Sequence, residues 1–264
     1  MDGGAGDRAK GPLVGIDTAT RRAAIAIGDG HGPPVSQRSW EAGYRHGEEL
    51  LAVLDELLRE AGIGLSDVGG IVTGIGPGAF TGLRVGLATA KALAYGLHVP
   101  IVGVASTRAL ARAALASPNP RPPAGAGPPG AGPASAHPAV VAVAMPAGPH
   151  DRYLARYRTL AGQGDLEAVD GPVLVPGGEA IEPLVRDATL VAVDLSGRPG
   201  VDDDALVRGR MAQEGLGEAL LAAGREALDR GEAGDVAALV PAYVTLPRGI
   251  TVQTGAIEWS RDLR

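Results

Sequence analysis

Asp17, Thr18 and Thr20 crowd one turn of this chain, at the end of the stretch VGIDTAT from Val14 to Thr20. A carboxylate closing a first strand, followed by hydroxyls, is what a nucleotide phosphate or its Mg²⁺ needs. Asp and Thr also build ordinary turns by bonding their own backbone, and the residues alone leave both readings open. A second candidate is the glycine loop Gly74, Gly76, Pro77, Gly78, which follows the β-branched run Val68 to Thr73 and precedes a helix-period stretch from near Ala79. Strand, glycine turn and helix can aim free N–H groups at an anion. No Lys-Ser/Thr pair follows as in a Walker A loop, so no lysine stands ready for a β/γ-phosphate. The plainer use of these glycines is a tight turn that needs positive φ and lets the helix pack closely on a sheet.

Other chemistries find little support. The five histidines, His31, His46, His98, His137 and His150, make no pair one helical turn apart, and there is no HExxH. A metal-dependent peptidase or transferase of that kind is therefore not expected. With no cysteine in the chain, disulfides, thiolate metal sites and a cysteine nucleophile are excluded. Through Ala116 the chain carries 11 basic and 11 acidic residues, and after it 13 and 19, so neither half offers a basic surface for a nucleic-acid backbone. The polar start Met1 to Gly11 and the lack of any run of about 18 apolar residues predict neither secretory signal nor membrane span, and hence a cytoplasmic protein.

The elements that must position these residues are legible in the periodicity. Leu13 to Asp17 reads as a buried strand, Arg22 to Ile27 as its return, and Val35 to Trp40 as a third strand. Arg45 to Ala61 is an amphipathic helix with Leu50, Leu51, Leu54, Leu57 and Leu58 along one stripe and acidic residues opposite, ended by Gly62. Along the next helix Leu83, Leu87, Ala90 and Leu93 or Ala94 recur at helical spacing among small residues, so backbones can approach it closely. Val99 to Gly103 and Thr107 to Leu115 add a strand and a helix.

Ser117 to His137 holds 7 Pro, 4 Gly and 5 Ala, which predicts a linker. Beyond it the expectation is a strand at Ala139 to Met145, a Pro146–Asp151 turn and a strand at Tyr153 to Leu160. An extended Pro172 to Val175, a helix at Glu179 to Arg186 and a strand at Thr189 to Asp194 follow. A long helical region spans Asp203 to Arg230, interrupted by Gly209, Gly215, Gly217 and Gly224, and Ala242 to Leu246 is extended. Two α/β units that each begin with antiparallel strands suggest a duplicated fold of the actin/Hsp70/sugar-kinase type. The boundaries are a flexible start at 1–11, a first subdomain at 12–116, the linker at 117–138, a second subdomain at 139–246 and an arm at 247–264.

VGIDTAT, RHGEELLAVLDELL from Arg45, GIGPGAFTGLRVGLATAKALA from Gly74 and IVGVASTRALA from Ile101 together resemble the TsaB (YeaZ) family. These are the dimerisation subunits of the bacterial tRNA threonylcarbamoyladenosine machinery. The resemblance is dense over Leu13 to Ala111 and thinner, though collinear, through Tyr153 and the PAYV stretch at Pro241. It implies the ASKHA (RNase H-like) fold in two subdomains and a non-enzymatic role beside TsaD, which carries the metal and modifies adenosine 37 of ANN-decoding tRNAs. ATP and metal then belong to partner subunits, TsaE joins the pair, and tRNA is met only through the complex. Family members also self-associate through the same face. By the same resemblance, partner contacts fall on Leu50, Leu51, Leu54 and Leu58 of the first helix and on Leu83, Arg84, Leu87, Ala90, Lys91 and Ala94 of the second. A charge at Leu54 or Leu87 is then expected to abolish association while the monomer stays folded.

Asp17, Thr18, Thr20, Gly76, Gly78 and Thr81 become degenerate phosphate-loop positions. Departures from the family fall mainly in the second unit, where Pro146, Ala147 and Gly148 replace Asp-Ala-Arg and Asp194 to Gly197 replaces a glycine-rich turn. Gly47 replaces a serine at the first helix's start. The alternative function is an ASKHA-type ATP-binding phosphotransferase or transferase using the Asp17 turn and the Gly74 to Gly78 loop.

Overall fold

The computed structural model describes residues 11–42, 46–117, 139–160, 165–242 and 244. The expected linker beyond Ser117 and the expected arm from residue 247 lie outside them. β1 (Leu13–Asp17) pairs antiparallel with β2 (Arg22–Gly28), Ile16 opposite Ile25, and β2 pairs with β3 (Ser36–Glu41). β4 (Gly70–Gly74) joins β1 in parallel and β5 (Ile101–Val104) joins β4, giving the order β3-β2-β1-β4-β5. The second sheet repeats the plan with β6 (Val140–Ala147), β7 (Asp151–Thr159), β8 (Leu166–Val175) and β9 (Thr189–Ala192) in the order β8-β7-β6-β9. In each sheet a three-stranded antiparallel meander is extended from its first strand by a later parallel one. This is the duplicated actin/Hsp70-like (ASKHA, RNase H-like) α/β fold.

Alternation along the strands sets the layers. Val14, Ile16, Ile25, Ile27 and Ile71 point to one side of the first sheet, where α1 (His46–Ala61) and α2 (Phe80–Leu97) cover them. Leu13, Ala24, Ala26 and Val72 point to the other side, against α3 (Ser106–Ala116) and α6 (Leu216–Asp229). The same core continues into the second sheet through Val141, Val143 and Tyr157. A short α4 (Glu182–Val185) and α5 (Asp203–Glu214) complete the second half, with Ile181, Leu195 and Ala205 packed on that sheet's far face. No helix among the described residues is long and apolar enough to cross a membrane.

Four sequence expectations need correction. The expected second subdomain 139–246 includes α6, yet α6 packs on the first sheet: a Cβ at Gly224 would come within 2.2 Å of Val72 Cγ2 and one at Gly217 within 2.8 Å of Ala26 Cβ. Of the interruptions expected at Gly209, Gly215, Gly217 and Gly224 in the helical region Asp203 to Arg230, only Gly215 parts it, into α5 and α6. The helix expected over Glu179 to Arg186 shrinks to α4 because a longer one would bury Pro183, which has no N–H, in its interior. The carbonyl of Glu179 instead accepts Arg152 Nη2 at 2.8 Å. The strand expected at Pro172 to Val175 begins at Leu166, continuing past Gly171 at φ 89°, a residue whose Cβ would meet Leu154 O at 2.6 Å. Asp-Gly-Pro at 170–172 reads as a turn, but it is accommodated as an irregularity within the strand.

After α6 the chain returns along the outer edge of β5. Gly234 N–H donates to Ile101 O at 2.8 Å, Ala242 N–H donates to Ile75 O at 2.7 Å, and Leu239 lies against Gly103. The expected strand from Ala242 is not formed at that residue; residue 243 and those from 245 lie outside the described ones.

Candidate functional site

The turn after β1 and the glycine loop meet, and they meet tightly. Asp17 Oδ1 accepts the N–H of Ala19 at 2.8 Å and Oδ2 accepts the hydroxyl of Ser106 at 2.6 Å. Ser106 in turn exchanges two bonds with Gly76, accepting its N–H on Oγ and donating its own N–H to Gly76 O. Thr18 Oγ1 donates to Gly82 O at 2.7 Å in the first turns of α2. Burial raises the Asp17 carboxyl pKa above its usual value, while the bonds from Ser106 and Ala19 oppose the rise.

The glycines of the motif are explained by this contact. A Cβ at Gly74 would sit 1.9 Å from Asp17 Oδ2, one at Gly78 2.2 Å from Ala19 O, and one at Gly86 2.1 Å from Thr18 Oγ1. Gly76 also holds φ 94°. So the plainer sequence reading accounts for the loop: it is a close-packing device. Asp17, Thr18 and Thr20 are each at most 3% exposed, Gly76 is buried and Gly78 half-buried, whereas Thr81 is exposed. Of the six positions expected to be a degenerate phosphate loop, Thr81 is exposed, and the chain's own groups bond both carboxylate oxygens of Asp17.

The helix pair also differs from expectation. Leu50, Leu54 and Leu58 on α1, and Leu83, Leu87, Ala90 and Ala94 on α2, are buried in this chain's own core at 6% exposure or less. They cannot present themselves to a partner while the monomer is folded, because the apolar stripe read from the periodicity is the face that covers the sheet. Lys91 is half-buried and its Nζ donates to Ala237 O and Leu239 O at 3.1 and 3.0 Å, holding the returning chain. Of the ten expected contacts, Leu51 and Arg84 are exposed.

What the helices do show to solvent is apolar in part. Leu51 is 57% exposed, Phe80 40% and Tyr95 77%. Phe80, Arg84, Ala88 and Tyr95 follow one helical strip of α2, and the Arg84 guanidinium lies 3.9 Å from the Phe80 ring centroid. Phe80 and Tyr95 were not singled out from the sequence, although Phe80 is the chain's one phenylalanine and aromatics are 3% of it. α1 is braced from outside by β3, with Trp40 Nε1 donating to Glu49 at 2.8 Å and Arg38 paired with Glu56 and Glu60.

Between the two halves lies a cleft of about 370 Å³. Arg21, Arg22, Glu41, Asp194, Arg210 and Gln213 are among the residues lining it. Among the described residues no group of three or more His, Cys, Asp or Glu is arranged to hold a metal ion.

Comparison with known proteins bears on this geometry. Residues 40–128 match the family model described as TsaD, tRNA N6-adenosine threonylcarbamoyltransferase. The tRNA threonylcarbamoyladenosine biosynthesis protein TsaB of Haemophilus influenzae is 35% identical over 106 residues, 39% of this chain and 42% of that protein. The Escherichia coli protein of the same name is 32% identical over 103 residues, 39% of this chain and 43% of that protein. The chain thus spans less than half the length of these curated relatives. In three dimensions YeaZ from Pseudomonas aeruginosa superposes with a TM-score of 0.63 at 24% identity, covering 88% of this chain and 99% of that one. The chain is thus similar to TsaB proteins in sequence over part of its length and to YeaZ in fold over most of it.

Proposed function

We propose that the chain is a non-catalytic scaffold subunit that binds and activates TsaD for N6-threonylcarbamoylation of adenosine 37 in ANN-decoding tRNAs. The observation that carries this reading is the outer face of α1 and α2, where Leu51, Phe80 and Tyr95 stand in solvent on helices rigidly backed by the sheet. Exposed apolar side chains on a firm surface favour a protein partner, and large aromatics anchor such contacts. The filled Asp17 turn supports the absence of catalysis at this position, so ATP and metal are assigned to the partner subunits. TsaE joins the same assembly, tRNA is reached through the complex, and without TsaD the same face pairs two copies of this chain. The working compartment is the cytoplasm.

The test is reconstitution of threonylcarbamoyl transfer to tRNA by the organism's own TsaD, with and without this chain. Modification that depends on the chain supports the scaffold role, and full activity of TsaD alone contradicts it. The alternative, an ATP-binding phosphotransferase at the Asp17 turn, requires calorimetric ATP binding by the isolated chain that weakens on Asp17→Ala.

A further inference from the structure

Beyond α6 the chain adds a third element to the layer that α1 and α2 form. Val236 and Leu239 pack against the core beneath those helices, so residues 234–242 lie on the same side of the first sheet. Gly103 makes room for Leu239, whose Cδ1 would stand 2.7 Å from a Cβ there. The segment is also braced within itself, since Asp235 Oδ1 accepts the N–H of Ala237 at 2.9 Å and Asp235 O accepts that of Leu239 at 3.1 Å. Its ends are tied to the sheet edge by the bonds from Gly234 to Ile101 and from Ala242 to Ile75. Lys91 completes the seating. Seven residues after Arg84 and four before Tyr95, it shares the helical strip of Phe80, Arg84, Ala88 and Tyr95, and its Nζ reaches to Ala237 O and Leu239 O. The segment therefore runs along one flank of that strip. The other flank belongs to α1, where a Cβ at Gly47 would lie 3.9 Å from Val85 Cγ1.

We propose that residues 234–242 form part of the docking face for TsaD, presenting Val240 beside the exposed strip of α2. This rests on the scaffold reading above. Val240 is 63% exposed, between the seated Leu239 and the half-buried Pro241. An apolar side chain held out from an anchored segment adds contact area while costing little ordering entropy on binding. One partner surface then covers Leu51, Tyr95 and Val240 across three adjoining elements. Because the segment already lies along β5, the partner meets side chains there and not a bare strand edge. Lys91 becomes a positioning residue. The family resemblance places it among the partner contacts, and its two bonds to the segment give it a part in docking that acts through Val240.

The test is the Kd of the full chain for its organism's TsaD, measured by titration calorimetry for the unaltered chain, Val240→Glu, Tyr95→Asp and Val207→Glu. Val207 is an exposed valine of α5, in the other half of the chain, and controls for an added surface charge. Val240→Glu is expected to raise Kd by about tenfold or more and Val207→Glu to leave it unchanged. Thermal unfolding of Val240→Glu is expected to match that of the unaltered chain, because the side chain is exposed. A second readout needs no variant: amide exchange at Leu239 is expected to slow by about tenfold when TsaD is added. Unaltered affinity in Val240→Glu, with Tyr95→Asp weakened, overturns the role of the segment and leaves the scaffold reading standing. No complex with the unaltered chain contradicts the scaffold reading, and this inference with it. Loss of self-association in Val240→Glu at full affinity for TsaD assigns the segment to a second copy of the chain and overturns the proposal.

Discussion

Ser106 Oγ donates to Asp17 Oδ2 at 2.6 Å, tying the first turn of α3 to the end of β1 at a point that solvent does not reach. The two residues are 89 positions apart, and the bond is what turns a possible ligand carboxylate into a structural one. Removing the donor with Ser106→Ala leaves a buried carboxylate short of a partner. That variant is expected to lose about 1–3 kcal/mol in urea unfolding.

The same carboxylate gives a pH signature. Burial raises the Asp17 pKa above the ordinary 3.8, so the native state binds its proton more tightly than the unfolded one. The stabilising contribution is complete below 3.8 and is lost as pH rises through the raised native pKa. Asp17→Asn cannot ionise there, so the stability of the unaltered chain is expected to fall relative to Asp17→Asn across that window. Urea denaturation at a series of pH values measures the difference, and a difference that does not vary with pH contradicts it.

Two glycines of α2 make a controlled pair. Both favour alanine by helix propensity, worth up to about 1 kcal/mol. A Cβ at Gly96 meets nothing within 4 Å, whereas one at Gly86 would be 2.1 Å from Thr18 Oγ1 and 3.2 Å from Thr18 Cβ. Gly96→Ala is expected to be neutral or stabilising, and Gly86→Ala to destabilise by about 1–3 kcal/mol through overpacking. Thermal unfolding of the two variants decides it.

Much of the first half was legible because its signals are local. The alternating Val14, Ile16, Ile25 and Ile27 and the leucine stripe of α1 state their own secondary structure, and the glycine loop announces a tight turn. Periodicity also identifies a buried face, but it does not say what buries it. Leu54 packs with the chain's own sheet and Leu87 is buried, and the partner-facing candidates are the residues left over, Leu51, Phe80 and Tyr95. The return of α6 to the first sheet was illegible for a related reason, since its small residues fit Val72 and Ala26 only through contacts distant in sequence. Ser106 and Gln213 looked like ordinary polar residues because their partners lie 19 to 193 positions away.

Lys91 holds the segment returning along β5 by two carbonyls, Ala237 O and Leu239 O. Lys91→Met keeps the aliphatic stem and removes both bonds. It is expected to cost about 1–2 kcal/mol at most, and to make residues 234–242 a target for limited proteolysis while β1 to β5 keep their protection. Unchanged cleavage of that segment contradicts the assignment.

Charge placed on α1 separates its two faces. Leu54 is 3% exposed, so Leu54→Glu buries an unpaired carboxylate and is expected to cost about 4 kcal/mol or more, enough to compromise folding. Leu51 is 57% exposed, and Leu51→Glu is expected to change stability by no more than about 0.5 kcal/mol. Circular dichroism on heating both variants distinguishes the faces before any partner is added.

The central claim is that the outer face of α1 and α2 holds TsaD. Light scattering of the purified chain mixed with its organism's TsaD tests it, with Leu51→Glu and Tyr95→Asp as folded variants. A stoichiometric complex that weakens by about 2 kcal/mol or more in those variants is the expected result. No complex with the unaltered chain, or one that both variants form equally well, contradicts the account.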